Sequence, residues 1–149
     1  PEPWDGKTPF PSDRAKYYGG HTQQQVKPSP DSPLEKLGIE KVPPIITTAV
    51  LLDAKAHLGK GSAMQPGAVV KAADIDAMLN AQGLGTRGLL PGDVLYIYTG
   101  WGDGWVDPDT GKTYYTKGPG LAYDAAKYIE DKQVVLVALD NPFTDPVPE

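Results

Sequence analysis

The stretch 90–102 reads Leu-Pro-Gly-Asp-Val-Leu-Tyr-Ile-Tyr-Thr-Gly-Trp-Gly, and it decides the fold. Pro91 and Gly92 predict a turn, because proline presets φ and glycine accepts a positive φ. The β-branched and aromatic run 94–99 that follows has the length and composition of a buried strand. Trp101 stands between two glycines just past the end of this strand, where open α/β sheets tend to bind ligands and where backbone must pass close to something. The same pattern is also typical of an ordinary glycine-rich loop, and both interpretations stay open at this point.

Two further apolar runs and two amphipathic runs surround this strand. The run 45–53 is nearly continuous in apolar residues, which predicts a strand that is covered on both faces. The runs 72–82 and about 120–132 carry apolar residues at helical spacing, and the run 134–139 predicts a last strand. The order β, α, β, α, β predicts an α/β fold with a parallel or mixed sheet and covering helices.

The first 44 residues hold nine of the sixteen prolines. Proline removes amide donors and interrupts helices and central strands, so this segment is predicted to be extended and to pack on the body. We therefore expect a single domain, with an extended proline-rich segment over 1–44 and an α/β body over 45–149. The chain does not begin with Met, and we expect the body to be incomplete at both ends, with apolar sheet surface left bare.

Composition excludes several classes of function. The 149 residues carry 14 basic and 19 acidic side chains, a net charge of −5, with no cluster of Lys and Arg, which argues against a nucleic-acid partner. No apolar run approaches the roughly 20 residues that span a bilayer, so no membrane partner is predicted. The chain has no Cys, which excludes disulfides and thiolate metal sites. Without Cys the sequence gives no redox signal for a compartment, so the cytoplasm and the periplasm both stay open.

Few side chains have the spacing of a metal site. His21 and His57 are the two histidines, and neither has ligand partners nearby in the sequence, so exposed or hydrogen-bonded loop positions are predicted for both. The stretch 107–111 resembles the start of a calcium loop. However, Gly118 stands where the bidentate Glu is required, and a simple turn is favoured there.

Two aspartates bracket a loop beyond the last predicted strand, Asp140 and Asp145. Carboxylates at such a position could orient a metal ligand or transfer a proton. They could equally cap backbone amides and start the turn at Pro146, because Asp-Pro favours turns. The pattern by itself leaves both interpretations open.

Three segments of this sequence, taken in order, are informative together. The first is 47–59, TTAVLLDAKAHLG, and the second is 69–103, with a helical run, the Pro-Gly-Asp turn and the Thr-Gly-Trp strand end. The third is 118–146, GPGLAYDAAKYIEDKQVVLVALDNPFTDP, with a Gly-Pro-Gly-Leu helix start, a final strand and an Asp-Pro loop. Together they resemble the cyclase family of metal-dependent hydrolases, which includes bacterial kynurenine formamidase and isatin hydrolase.

The resemblance covers about residues 42–146 and implies a swivelling β/β/α fold, here partial, in an oligomeric protein. It implies a Zn²⁺ or Mn²⁺ centre that activates water to attack a formamide, lactam or cyclic amide. The family's His-x-Gly-Thr-His-x-Asp ligand motif is absent from this sequence. The resemblance places that motif before Pro1 and a late His and Glu after Glu149. No metal ligand is therefore assigned to this chain, and the chain alone is predicted to be inactive.

The same resemblance carries over three candidates for the substrate pocket. Trp101 matches the Trp of the Thr-Gly-Trp strand end, although large aromatics also anchor cores and interfaces. Asp140 and Asp145 match the loop near the family's site. The expected partners are a small amide substrate and either further copies of the chain or a complementing polypeptide. The alternative function is a non-catalytic binding or structural module on a cyclase-like scaffold, because fold likeness alone does not establish function. Its expected contact surface is Trp101 with the tyrosine-rich loop at Tyr114 and Tyr115.

Overall fold

The computed structural model describes residues 16–29, 31–106 and 113–148. The chain divides into two units, Pro1–Ile45 and Ile46–Glu149, which are described separately below. The stretch 107–111, with its resemblance to a calcium loop, lies outside the described residues.

In the first unit, the described residues form three single-turn helices. Two are 3₁₀ helices, Tyr18–Gly20 and Ile39–Lys41, and one is an α-helix, α1, Gln23–Val26. Thr22 caps α1, because its hydroxyl accepts a hydrogen bond from Gln25 N while the Gln25 side chain accepts one from Thr22 N at 2.9 Å. This reciprocal cap gives a four-residue helix the polar partners that its first turn needs.

The second unit contains two parallel sheets and three α-helices among its described residues. In chain order its elements are β1 (Ala49–Asp53), α2 (Ala54–His57), β2 (Val69–Val70), α3 (Ala72–Ala81), β3 (Val94–Tyr98), a 3₁₀ turn (Trp101–Gly104), β4 (Gly120–Leu121), α4 (Tyr123–Asp131) and β5 (Leu136–Leu139). The larger sheet has the order β1-β3-β5, and β2 pairs with β4. No described helix combines the length and hydropathy that crossing a bilayer requires. The α/β architecture that the order of elements predicts is confirmed.

β1 begins later than the apolar run predicts. Its first residue is Ala49 rather than residue 45, because its partner β3 begins only at Val94, directly after the turn at 91–92. Without a partner strand, the preceding residues have no ladder to join. Ile46 accordingly lies outside the sheet and is 93% exposed.

α4 also begins later than the helical pattern predicts. The pattern starts at about residue 120, but Gly120 and Leu121 pair with β2 and the helix starts at Tyr123. The tail of the chain crosses over this point, since a Cβ on Gly120 would lie 2.4 Å from the carbonyl carbon of Asp145. Glycine is therefore required here by a contact that no local pattern contains.

α3 and α4 cover one face of the larger sheet. Alternate strand residues and the inner faces of the two helices form one buried core, composed of Val50, Leu52, Leu95, Ile97, Ile75, Met78, Leu79, Ala125 and Ile129. On the other face, Leu51 and Tyr96 pair in register and are 58% and 45% exposed. Parallel sheets are normally covered on both faces. The prediction of two covered faces is thus wrong for the described residues, and the predicted bare apolar surface is present.

A buried ion pair fixes the Pro-Gly-Asp turn that precedes β3. Asp93 is 4% exposed, and its carboxylate accepts hydrogen bonds from Arg87 Nη1 at 2.7 Å and Arg87 Nη2 at 2.8 Å. It also accepts one from Leu90 N at 2.8 Å. The hydrogen bond from Arg87 is the main cause that lowers the pKa of Asp93 below its ordinary value.

Replacing Asp93 with Asn is expected to destabilise the second unit by about 2–3 kcal/mol, because a charge-assisted pair of hydrogen bonds is lost. Urea unfolding at pH 7 would show this as a lower midpoint with an unchanged slope. The pKa of Asp93 is lower in the folded than in the unfolded protein. The difference between wild type and variant should therefore persist above about pH 4 and shrink as the pH falls further.

The control for this prediction is Asp131→Asn, at an exposed position on α4. It should change the free energy of unfolding by less than about 0.5 kcal/mol. Equal urea midpoints for Asp93→Asn and wild type at pH 7 would show that the pair does not stabilise the turn.

Candidate functional site

The carboxyl ends of β1, β3 and β5 meet at one edge of the sheet, because all three strands are parallel. Ligands of open α/β sheets bind outside this edge. β3 is followed there by residues 99–104, which we call the Trp101 turn, and β5 is followed by Asp140. The candidate site is built from these two segments and the residues that hold them.

Asp140 binds the Trp101 turn from the end of β5. Its Oδ1 accepts hydrogen bonds from Thr99 N at 2.7 Å and from Thr99 Oγ1 at 2.6 Å, and its Oδ2 accepts one from Gly102 N at 3.1 Å. Thr99 is fully buried, and its hydroxyl accepts a hydrogen bond from Trp101 N at 3.2 Å. The Asp140 carboxylate therefore caps backbone amides and fixes the backbone on both sides of Trp101.

Both glycines beside Trp101 are required by the geometry. Gly100 has a φ of +78°, and a Cβ there would lie 2.7 Å from Lys55 Cδ. A Cβ on Gly102 would lie 2.7 Å from the carbonyl oxygen of Asp140. Of the two interpretations that the Gly-Trp-Gly pattern left open, the structure therefore shows the close backbone approach.

A second polar cluster holds the other side of the turn. Lys55 lies just after β1, and its Nζ is 2.6 Å from Asp103 Oδ2 and 3.3 Å from the hydroxyl of Tyr98. The Tyr98 hydroxyl donates to Asp103 Oδ2 at 2.7 Å. We call these three residues the Lys55 clamp, because they tie the end of β1 to the turn that follows β3.

The charges of the Lys55 clamp are stabilised by their mutual hydrogen bonds. The bond from Lys55 is the main cause that lowers the pKa of Asp103, and the bond to Asp103 raises the pKa values of Lys55 and Tyr98. At neutral pH the lysine is therefore charged, the aspartate ionised and the tyrosine protonated. A general base needs a pKa near the working pH, so this cluster is suited to positioning rather than to proton transfer.

The Trp101 indole lines a small pocket of about 150 Å³. The other lining residues are Ala63, Gly100, Gly104, Thr113 and Tyr114. Trp101 Nε1 donates to Tyr114 O at 3.3 Å, and the Tyr114 hydroxyl donates to Asp140 O at 3.2 Å. The pocket therefore combines a fixed aromatic face with a second aromatic residue, Tyr114, and several small residues, which suits a flat group of a few atoms.

A model of the cyclase family matches residues 18–146, which is most of the chain. The chain belongs to the cyclase family. Among solved structures, the chain is similar to a crystal structure described as a novel cyclase, with 30% sequence identity and a TM-score of 0.57. The match covers 67% of this chain and 33% of the solved chain, so the present chain spans about a third of the length of that relative. No curated protein matches the chain.

These matches confirm the family that the three sequence segments predict. They also confirm a cyclase-like α/β fold over the part of the cyclase that the solved structure covers. The solved relative is much longer than this chain. The match therefore gives the family and the fold, and an activity has to be argued from the geometry of the site.

The structure brings two of the three predicted site residues of this cyclase together. Trp101 and Asp140 belong to one hydrogen-bonded network, which runs through Thr99 and Tyr114. Asp145 is exposed and lines a different pocket, of about 500 Å³, beside α4. The candidate site at the carboxyl edge therefore rests on Trp101 and Asp140.

The three residues of the Lys55 clamp were not predicted from the sequence as site residues. Lys55 and Asp103 are 48 positions apart, so no local motif joins them. A usable signal exists for this pair, because each residue closely follows a strand and neighbouring parallel strands end at the same edge. Tyr114 was expected only as a contact residue of a binding module, because it lies on a long connection whose position along the chain does not indicate which edge it reaches.

Proposed function

We propose that this chain forms one wall of the active site of a metal-dependent hydrolase that cleaves the C–N bond of a formamide, lactam or cyclic amide. The observation that carries the proposal is the Trp101 indole, which is held beside a small pocket at the carboxyl edge of a parallel sheet. The resemblance to metal-dependent hydrolases within the cyclase family supports the reaction class.

The described residues do not fit a Zn²⁺ or Mn²⁺ ion. Within residues 16–29, 31–106 and 113–148, no group of three or more His, Cys, Asp or Glu side chains could hold one. The Asp140 carboxylate already accepts three hydrogen bonds, and His57 is exposed at the end of α2. The proposal assigns neither a metal ligand nor a catalytic step to the described residues. Because the family's His-x-Gly-Thr-His-x-Asp motif is absent from the sequence, it places the metal ligands outside this chain.

The contribution of the described residues is binding and positioning. The indole of Trp101 offers a flat apolar face on which a planar amide or lactam can stack. Asp140 and the Lys55 clamp hold the turn from both sides, so little conformational entropy is lost when the indole meets a ligand. A pocket wall that is rigid before binding is what a site needs to orient a carbonyl group.

The proposed assembly contains more polypeptide than this chain. Its partners are a small amide substrate and either further copies of the chain or a complementing polypeptide. The bare sheet face around Leu51 and Tyr96 supports this part of the proposal, because exposed apolar sheet surface normally marks an interaction site.

A hydrolysis assay on the protein purified from its native host tests the proposal. The probes are an N-formylarylamine and a benzo-fused lactam, each assayed with Zn²⁺, with Mn²⁺ and after chelation. We expect hydrolysis of at least one probe, a fall to the uncatalysed rate on chelation, and recovery when metal is restored. The purified 149-residue chain is the control and should be inactive with either metal. Metal-replete protein that hydrolyses neither probe, or activity that survives chelation, would overturn the proposal.

A non-catalytic binding module on a cyclase scaffold is the second candidate. It is favoured by the lack of a three-ligand group within the described residues and by an aromatic pocket that can hold a ligand without chemistry. Metal content separates the two candidates. A stoichiometric transition metal in the protein from its native host favours the hydrolase, and its absence favours the module.

A further inference from the structure

The two edges of the larger sheet differ in whether their outward backbone N–H and C=O groups have hydrogen-bond partners. On the outer side of β1, the Gln82 side chain donates from Nε2 to Leu51 O at 2.7 Å and accepts at Oε1 from Asp53 N at 2.9 Å. Its amide thus occupies the positions that a neighbouring strand would use. β5 pairs with β3 on one side, and no strand of the described residues pairs along its other side. The edge at β5 is therefore the one that can accept a further strand.

An apolar pocket of about 500 Å³ lies beside β5. It is lined mainly by small and apolar side chains of β4, α4, β5 and the tail, including Leu121, Ala126, Ile129, Val137 and Pro146. Val137 points to the face of the sheet that α4 covers, since its register partner Leu95 is part of the buried core. Alternate side chains of a strand added next to β5 would lie on this same face and could fill the pocket.

The opposite face of the sheet also lacks a cover. Leu51 and Tyr96 are 58% and 45% exposed, and Ala138 is in register with Tyr96 on the same face. Parallel sheets bury both faces, so this row of apolar side chains requires a further layer of polypeptide. The solved relative contains further polypeptide, because the match covers 33% of its chain.

From these observations we infer that the free edge of β5 and the pocket beside α4 bind an extended apolar strand of cyclase polypeptide that lies outside these 149 residues. Main-chain hydrogen bonds to β5 would hold the strand, and its inward side chains would fill the pocket. The inference rests on the part of the proposed function in which further polypeptide completes the site. It does not depend on a metal or on hydrolysis.

Site-specific crosslinking in the native host tests this inference. Tyr123 lines the pocket and is 81% exposed, so p-benzoylphenylalanine can replace it without disturbing the core. After irradiation, mass spectrometry identifies the crosslinked peptide. We expect a peptide of extended apolar sequence from a cyclase-family polypeptide outside the 149 residues, whether it belongs to the same chain or to a separate one. A crosslink between two copies of these 149 residues, or folded protein that gives no crosslink to polypeptide outside them, would overturn the inference.

Two further variants separate pocket filling from unfolding. Ala126→Trp fills the pocket from an exposed position on α4, and the crosslink from position 123 is expected to be lost. Ala73→Trp, at an exposed position on α3 that does not line the pocket, is the matched control and should retain the crosslink. A crosslink that persists in Ala126→Trp would contradict binding in the pocket. If Ala126→Trp does not fold, the peptide identified from position 123 alone still decides the question.

Discussion

Replacement of Asp140 with alanine is expected to destabilise the second unit by about 3–5 kcal/mol. The change leaves the amide and the hydroxyl of Thr99 without their acceptor at a fully buried position, and it also releases Gly102 N. Each buried donor that loses its partner costs about 1–3 kcal/mol. Urea unfolding at pH 7 measures this loss as a lower midpoint.

Two further substitutions give this prediction its controls. Asp145→Ala follows the same strand at an exposed position, and it should change the free energy of unfolding by less than about 0.5 kcal/mol. Asp140→Asn keeps an oxygen for Thr99 but turns an amide donor toward Gly102 N, so an intermediate loss of about 1–2 kcal/mol is expected. If Asp140→Ala lowers the free energy of unfolding no more than Asp145→Ala does, Asp140 does not hold the Trp101 turn in place.

Trp101→Ala is expected to weaken substrate binding about tenfold to a hundredfold, because the loss of the stacking face removes about 1.5–3 kcal/mol of contact. The indole is half-buried and lines the pocket without being part of the main core, so the protein should still fold. Under the proposed function the ground state and the transition state share this contact. KM should therefore rise while kcat stays close to the wild-type value. Steady-state kinetics of the protein from its native host, with the probe that it hydrolyses, measures both constants.

Trp105→Ala is the matched control for this experiment. Trp105 lies four positions further on, is 48% exposed and is not among the residues that line the pocket. Its replacement should leave KM and kcat near their wild-type values. An unchanged KM in Trp101→Ala, or an equal rise in Trp105→Ala, would remove Trp101 from the proposed substrate pocket.

Features that depend on near neighbours could be predicted from the sequence. The turn at 91–92 and the strand after it follow from residue types that are adjacent in the chain. The helix ending before Gly83 follows equally from local spacing, and Gly83 takes the positive φ of a helix stop. The Gly-Trp-Gly pattern left a close backbone approach and an ordinary loop both open, and Gly102 makes the close approach to Asp140.

Features that depend on distant partners could not be predicted in the same way. The start of β1 is set by where β3 begins, and the start of α4 is set by the tail that crosses Gly120. The same reason applies to the site. The sequence pattern left two roles open for Asp140, capping of backbone amides and participation in metal or proton chemistry. The structure shows that Asp140 caps the Trp101 turn through Thr99, which lies 41 positions away in the sequence. Such contacts are fixed by topology, which local spacing does not encode.

Anomalous diffraction at the Mn and Zn absorption edges, from crystals of the protein purified from its native host, tests the central claim most directly. The claim is that the pocket beside Trp101 is an active-site wall and that other polypeptide holds the metal. We predict an anomalous peak at the carboxyl edge of the larger sheet, facing Trp101, with every ligand from outside the 149 residues. A peak remote from this edge, or a peak with His21 or His57 among its ligands, would contradict the account.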